Sequence, residues 1–320
     1  MSDDLRVSSN VPAPGAAAPH PRVTLRILAT TDLHGHILPW DDLADRPAPD
    51  RGLAQIASLI AQARAEVPGS LLLDNGDFLN GSPLADHVAQ AARSDPSRKK
   101  DHGKPIHPMI AAMNHLGYDA VTLGNHEFSQ GLDLLRNALR QARFATVCTN
   151  LDRLGPTAQR RSFAPRQILL RRQLWDPNGT PHELVVGILG FLPPQTTVWE
   201  RHHLTGKLAV RAILDSARAA VPRLRRAGAD LVIALSHSGI GAEGSTDPHS
   251  GGDETISDRL AQIAGIDAVV AGHTHQLFPP SPEPGAPKDT DHPARTLTAP
   301  LVMPGFYGSH LGVLDLALCR

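Results

Sequence analysis

The chain has 320 residues, 41% of them hydrophobic, enough to bury a sizeable core as one large domain or two small ones. A formal net charge of -1 excludes the basic footprint of a nucleic-acid binder, and no apolar run reaches the length needed to span a membrane. Two cysteines build neither a disulfide framework nor a cysteine-based zinc finger, whereas 17 histidines supply the commonest transition-metal ligand in quantity.

Residues 1–22 read as a disordered tail, rich in Pro and Ala and without apolar periodicity. This N-terminus lacks the basic start and apolar stretch of a signal peptide, so the expectation from the chain as written is cytoplasmic. A strand is expected at 23–29, then a helix at 52–65, where Leu53, Ile56, Ala57 and Ile60 fall at helical spacing. A strand at 70–74 leads to helices at 83–92 and 108–116, joined by a charged loop, 94–107. Strands at 119–123 and 144–148 flank a helix at 132–142, and Cys148 reads as a buried, inert thiol. Strands at 166–173 and 183–190 precede a helix at 210–226 and a strand at 230–235. Beyond a polar, Gly-rich loop (241–252) come a helix at 254–263, a strand at 267–271, a Pro-rich acidic linker (279–293), and strands at 299–303 and 311–317. Strands interleaved with helices point to an α/β layered fold.

Five of the strands end in residues that bind metals. The stretches are Leu25 to His34, Leu71 to Asp77, Val121 to Glu127, Leu231 to His237 and Val269 to His275. Open α/β sheets place their ligand sites at such strand ends. Asp32 and His34 are two apart, so both side chains reach one side of an extended backbone; His273 and His275 repeat that spacing. Each motif alone has a bland explanation: Asp32 as a turn residue beside a surface His, Asp77 as a helix N-cap, His237 as a satisfied structural histidine. Gly124-Asn-His-Glu127 is harder to dismiss, because nothing in packing calls for a polar cluster straight after an apolar strand. There Asn125 offers a neutral oxygen ligand, His126 is free for acid or hydrogen-bonding work, and Glu127 could cap the next helix or orient a ligand. Two Asp, one Asn and four His suit Zn²⁺, Mn²⁺ or Fe better than Ca²⁺. Seven ligands exceed the needs of one tetrahedral ion, and two ions sharing a bridging carboxylate fit the count.

The set D-x-H, G-D, G-N-H-E, His and G-H-x-H resembles the calcineurin-like metallophosphoesterase superfamily. Thr31-Asp-Leu-His-Gly-His-Ile-Leu-Pro39, the stretch from Asp74 to Leu84 and the stretch from Val302 to Val313 narrow the resemblance to the catalytic domain of the 5′-nucleotidase family. Within that family they look most like the 2′,3′-cyclic-nucleotide 2′-phosphodiesterase/3′-nucleotidase branch, from Val23 to the C-terminus. The resemblance implies a four-layer αββα sandwich, two mixed sheets flanked by helices. It implies two divalent ions of Mn, Zn, Fe or Co type, with Asp32, His34 and His275 on the first, Asn125, His237 and His273 on the second, and Asp77 bridging. His126 would contact the scissile phosphate while a bridging hydroxide attacks phosphorus in line. The implied partners are a nucleotide or small phosphoester, with neither duplex nucleic acid nor membrane, and the family's usual compartment is the periplasm.

Two departures qualify this. Ser129 follows Phe128 where the 5′-nucleotidases proper have an Asp that orients the catalytic His; a Ser can accept a hydrogen bond but brings no full charge. The family's C-terminal nucleotide-binding domain is expected to be absent, because the chain ends about where the catalytic domain should finish. Weak, base-indifferent nucleotide binding is the expectation, with a separate chain as one source of the missing domain. The alternatives are a truncated, inactive remnant, a partner-dependent module, or a generic phosphatase.

Overall fold

Unbroken apolar runs become strands covered on both faces. Leu71 to Leu73 and Val232 to Leu235 have no exposed surface at all, as parallel strands inside a layered fold require. The computed structural model describes residues 22–94, 106–155, 163–241, 252–280 and 297–319. In chain order they form β1 (Arg22–Thr30), β2 (Trp40–Asp41), β3 (Arg46–Pro47), α1 (Leu53–Glu66), β4 (Ser70–Asp74), α2 (Pro83–Ser94), α3 (Pro108–Leu116) and β5 (Ala120–Val121). Then follow α4 (Leu132–Leu139), β6 (Ala145–Thr146), β7 (Leu151–Arg153), β8 (Ile168–Trp175), β9 (Pro181–Phe191), α5 (Thr196–Trp199), α6 (Arg201–Leu204) and β10 (Leu208–Val210). The rest are α7 (Ile213–Arg226), β11 (Leu231–Ser236), α8 (Ser257–Leu260), β12 (Ala268–Ala271), β13 (Leu277–Phe278), β14 (Leu301–Pro304) and β15 (Gly312–Cys319).

The strands make two large mixed sheets. One has the order β15-β1-β4-β5-β6, parallel except for β15. The other has the order β13-β14-β12-β11-β9-β8, parallel inside and antiparallel at both edges. The two-residue period of each strand divides its side chains between two cores. Leu25, Ile27, Leu71 and Leu73 point into a cluster shared with Val186, Ile188, Ile233 and Val270 of the opposite sheet. Leu28 and Leu72, on the other face, pack with Ile56, Ile60, Met109 and Leu135 of the helices. Val232, Ala234 and Val269 pack instead with Ala217, Leu224 and Leu260. The result is the expected four-layer αββα sandwich. Each fully buried Leu or Ile contributes about 1.5–3 kcal/mol, so the arrangement of strands is held by its interior rather than by its loops.

Some boundaries differ from expectation. The helix expected from 210 starts at Ile213, because Leu208–Val210 pairs antiparallel with Leu151–Arg153. The helix expected over 254–263 is regular only at Ser257–Leu260; the carbonyl of Ala261 is taken by the amide of Ala299 from another segment. The helix expected to 142 ends at Leu139. Helices α5 and α6 have no counterpart in the sequence expectations. The expected tail lies outside the described residues except for Arg22, as do most of the loops 94–107, 241–252 and 279–293.

Candidate metal centre

The parallel strands of both sheets deliver their carboxyl ends to one edge of the sandwich. There the loop after β1 is zipped to the loop after β4: the amides of Asp32, His34 and Gly35 donate to the carbonyls of Gly76, Asp77 and Phe78 at 2.8–2.9 Å. Asp32, His34, Asp77, His273 and His275 all have positive φ, at 51, 48, 57, 71 and 57°. Non-glycine residues in that region cost about 1–3 kcal/mol each and persist where the surroundings dictate them, commonly at functional sites. Two glycines make room. A Cβ on Gly124 would lie 2.2 Å from Asp77 Oδ1, and one on Gly272 would lie 2.1 Å from Thr31 Oγ1 and 2.8 Å from Asp32 Oδ2.

All eight residues singled out in the sequence meet at this edge or border it. Ligand atoms of Asp32, His34 and His275 lie within 4.8 Å of one another, as do those of Asp77, His237 and His273, and those of His34, Asp77 and His126. Asp77 Oδ2 stands between the groups, 3.1 Å from His237 Nε2 and 3.9 Å from His34 Nε2. Asp32 Oδ1 lies 3.4 Å from His275 Nε2 and 3.8 and 3.9 Å from the Nε2 atoms of His34 and His237. The other carboxylate oxygens are already engaged. Thr31 Oγ1 and the amide of His273 donate to Asp32 Oδ2, and the amide of His126 donates to Asp77 Oδ1.

The imidazoles are oriented the same way. Nδ1 of His34 donates to the Asn80 carbonyl and Nδ1 of His237 to the Asn75 carbonyl, so both Nε2 atoms face inward, that of His34 lying 3.0 Å from His275 Nε2. Asp32 Oδ1, Asn125 Oδ1 and His237 Nε2 are buried and accept no hydrogen bond among the described residues. Orphaned buried acceptors are rare and costly, and a carboxylate oxygen and an imidazole nitrogen 3.9 Å apart in this state are a donor set that fits a divalent cation. The electrostatics agree. Burial opposes the charged form of His237, yet the Asp77 and Asp32 carboxylates outweigh it and push the imidazole up, to about 10. Burial likewise raises Asp77, but His237 and His34 hold it well below the usual carboxylate range. Burial lowers His34, and takes His273 down to about 4.

The family model for calcineurin-like phosphoesterases matches residues 25–277. This chain belongs to the calcineurin-like phosphoesterase family. It is similar to the 2',3'-cyclic-nucleotide 2'-phosphodiesterase/3'-nucleotidase of Salmonella typhimurium, 40% identical over 92% of this chain and 43% of that protein. It also resembles the trifunctional nucleotide phosphoesterase protein YfkN of Bacillus subtilis, 37% identical over 93% of this chain and 20% of that protein. The chain thus spans less than half the length of these curated relatives. The crystal structure of the calcineurin-like phosphoesterase YfkN from Bacillus subtilis superimposes with a TM-score of 0.81 at 38% identity, covering 94% of this chain and 86% of that one. No helix among the described residues is long and apolar enough to cross a membrane.

Further residues contribute to this site. Of the two roles the sequence left open for Glu127, it caps no helix. Its buried carboxylate accepts the amides of Asp77, Phe78, Leu79 and Gly124 at 2.7–3.0 Å, and so shapes the loop that carries Asp77. Burial and the neighbouring Asp77 push its carboxyl up, to about 7, while the amides pull the other way; since every contact is a donor, the geometry accommodates the carboxylate. Asn75 ties the two sheets together by donating to the Ser236 carbonyl. Half-exposed rings border the site: Trp199 stacks on His273 with centroids 5.3 Å apart, and Phe306 on His275 at 4.7 Å. Asn75, Asn80 and Phe306 sit inside motifs already quoted, whereas Trp199 had no signal in the sequence.

Proposed function

We propose that this chain is a two-metal phosphoester hydrolase acting on nucleotides, of the 2′,3′-cyclic-nucleotide 2′-phosphodiesterase/3′-nucleotidase type. The observation that carries this is the pair of ligand groups, Asp32, His34 and His275 and Asp77, His237 and His273, with Asp77 Oδ2 between them and with the buried Asp32 Oδ1 and Asn125 Oδ1 accepting no hydrogen bond among the described residues. Asp32, His34 and His275 would hold one divalent ion, and Asn125, His237 and His273 another, with Asp77 shared. When bound, such ions act as Lewis acids on the phosphoryl oxygens and acidify a water for attack on phosphorus.

The chain's own residues supply the rest. His126 is exposed beside His34 and Asp77, and its backbone amide is fixed on Asp77 Oδ1 at 2.7 Å. Its ring is therefore the group available to stabilise charge on the phosphoryl or leaving oxygen, or to protonate that oxygen. Trp199 and Phe306 give a nucleobase flat apolar faces to rest on, and such stacking favours no particular base. The test is turnover of bis-p-nitrophenyl phosphate, 2′,3′-cAMP and 3′-AMP with added Mn²⁺, Zn²⁺ or Co²⁺, with Asp77→Asn as control. Metal-dependent turnover that the variant loses is the expected result. No turnover of any of the three with any of these metals would leave the remnant reading standing.

A further inference from the structure

Ser129, which stands where the 5′-nucleotidases proper have an orienting aspartate, is not alone. Ser129 Oγ lies 3.3 Å from His126 Nδ1 and donates its proton to Glu200 Oε1 at 2.7 Å. A hydroxyl that gives its only proton to a carboxylate has nothing but lone pairs to offer its other neighbour. The contact with His126 is then an Nδ1–H donating to Ser129, and Nε2 is the nitrogen left to face the site. Glu200 arrives from a segment far along the chain, at the junction of α5 and α6. The residue before it, Trp199, rests on His273, so this segment reaches the site at two points.

We propose that Glu200 is a positioning residue for His126, acting through Ser129. The negative charge that Ser129 lacks is supplied one hydrogen bond further out, and the relay fixes which imidazole nitrogen carries the proton and which way the ring points. Charge-assisted links of this kind are stronger than neutral ones, and they set the tautomer of the histidine they reach. The inference deepens the hydrolase reading and rests on it for its kinetic consequences, but the tautomer exists whether or not the chain turns over.

Two measurements on the full-length chain test it, using Ser129→Ala, Glu200→Ala and the double variant. First, imidazole ¹⁵N spectra of histidine-labelled protein, with His126→Asn to assign the signal, should show the Nδ1–H form in the wild type. In both single variants the signal should move toward the Nε2–H form. Second, if the wild type turns over a diester, each single variant should lose about tenfold in kcat, the worth of one charge-assisted hydrogen bond, with KM little changed. The double variant should lose no more than either single one, because both break the same chain. An unchanged tautomer in Glu200→Ala, a loss confined to KM, or additive losses in the double variant would each overturn the proposal. A wild type inactive with every metal would count against the hydrolase reading alone, leaving the spectra to decide the relay.

Discussion

Glu127 should be among the most sensitive positions in the molecule, although it belongs to neither candidate ligand group. In Glu127→Gln the amide oxygen could keep two of the four loop amides, those of Phe78 and Leu79, which now share Oε1. The amides of Asp77 and Gly124, now bonded to Oε2, would face an NH₂ group that cannot accept. A buried donor left without an acceptor costs about 1–3 kcal/mol, so two of them cost about 2–6 kcal/mol. That is a large share of the roughly 5–15 kcal/mol by which a domain is stable. Urea unfolding in EDTA would read this as a lower midpoint at unchanged slope. Repeating the titration with saturating Mn²⁺ should recover part of the loss for any variant that still binds the ion. A variant within about 0.5 kcal/mol of wild type in EDTA, the range of an ordinary surface change, would refute the role given to this carboxylate.

Gly272→Ala should destabilise the fold by about 1–3 kcal/mol by overpacking, and should weaken metal binding more than a comparable change elsewhere, because the new methyl would press on Thr31 and Asp32 Oδ2; calorimetric titration with Mn²⁺ measures the second effect. His107 caps α3 by accepting the Met109 amide, and burial takes its imidazole down to about 4 from an ordinary 6.5. Because the folded value is the lower one, its contribution is complete above about pH 6.5 and is lost as pH falls through 4, up to about 3 kcal/mol in all. His107→Asn keeps a capping side chain without the titration, so its urea midpoint should fall less than that of the wild type between pH 7 and pH 4, and parallel curves would contradict the assignment.

The strands were legible because burial on both faces writes itself as an unbroken apolar run, as in Leu71 to Leu73. Their ends were legible because packing has no use for Asp32, His34 or His275 at a buried edge. What could not be read depends on partners distant in sequence. Val210 reads as the start of a helix until Leu151–Arg153 claims Leu208–Val210 as a strand. The segment from Thr196 to Leu204 carries too few apolar residues to announce a helix, and owes its place to contacts such as Trp199 on His273. Glu127 left two roles open because choosing between them needs the position of the amides at 77–79, which lie in another loop. Ser129 read as a loss of charge because Glu200 lies 71 positions away.

The stoichiometry of bound metal tests the metal centre most directly. Chelator-stripped protein, reloaded with Mn²⁺ or Zn²⁺ and dialysed, should retain two ions per chain by elemental analysis. Asp77→Asn should retain fewer, since it removes the charge shared by both ligand groups. A wild-type chain that keeps no tightly held ion, or an Asp77→Asn chain that keeps as many as the wild type, would contradict the two-metal centre from which the proposed hydrolysis follows.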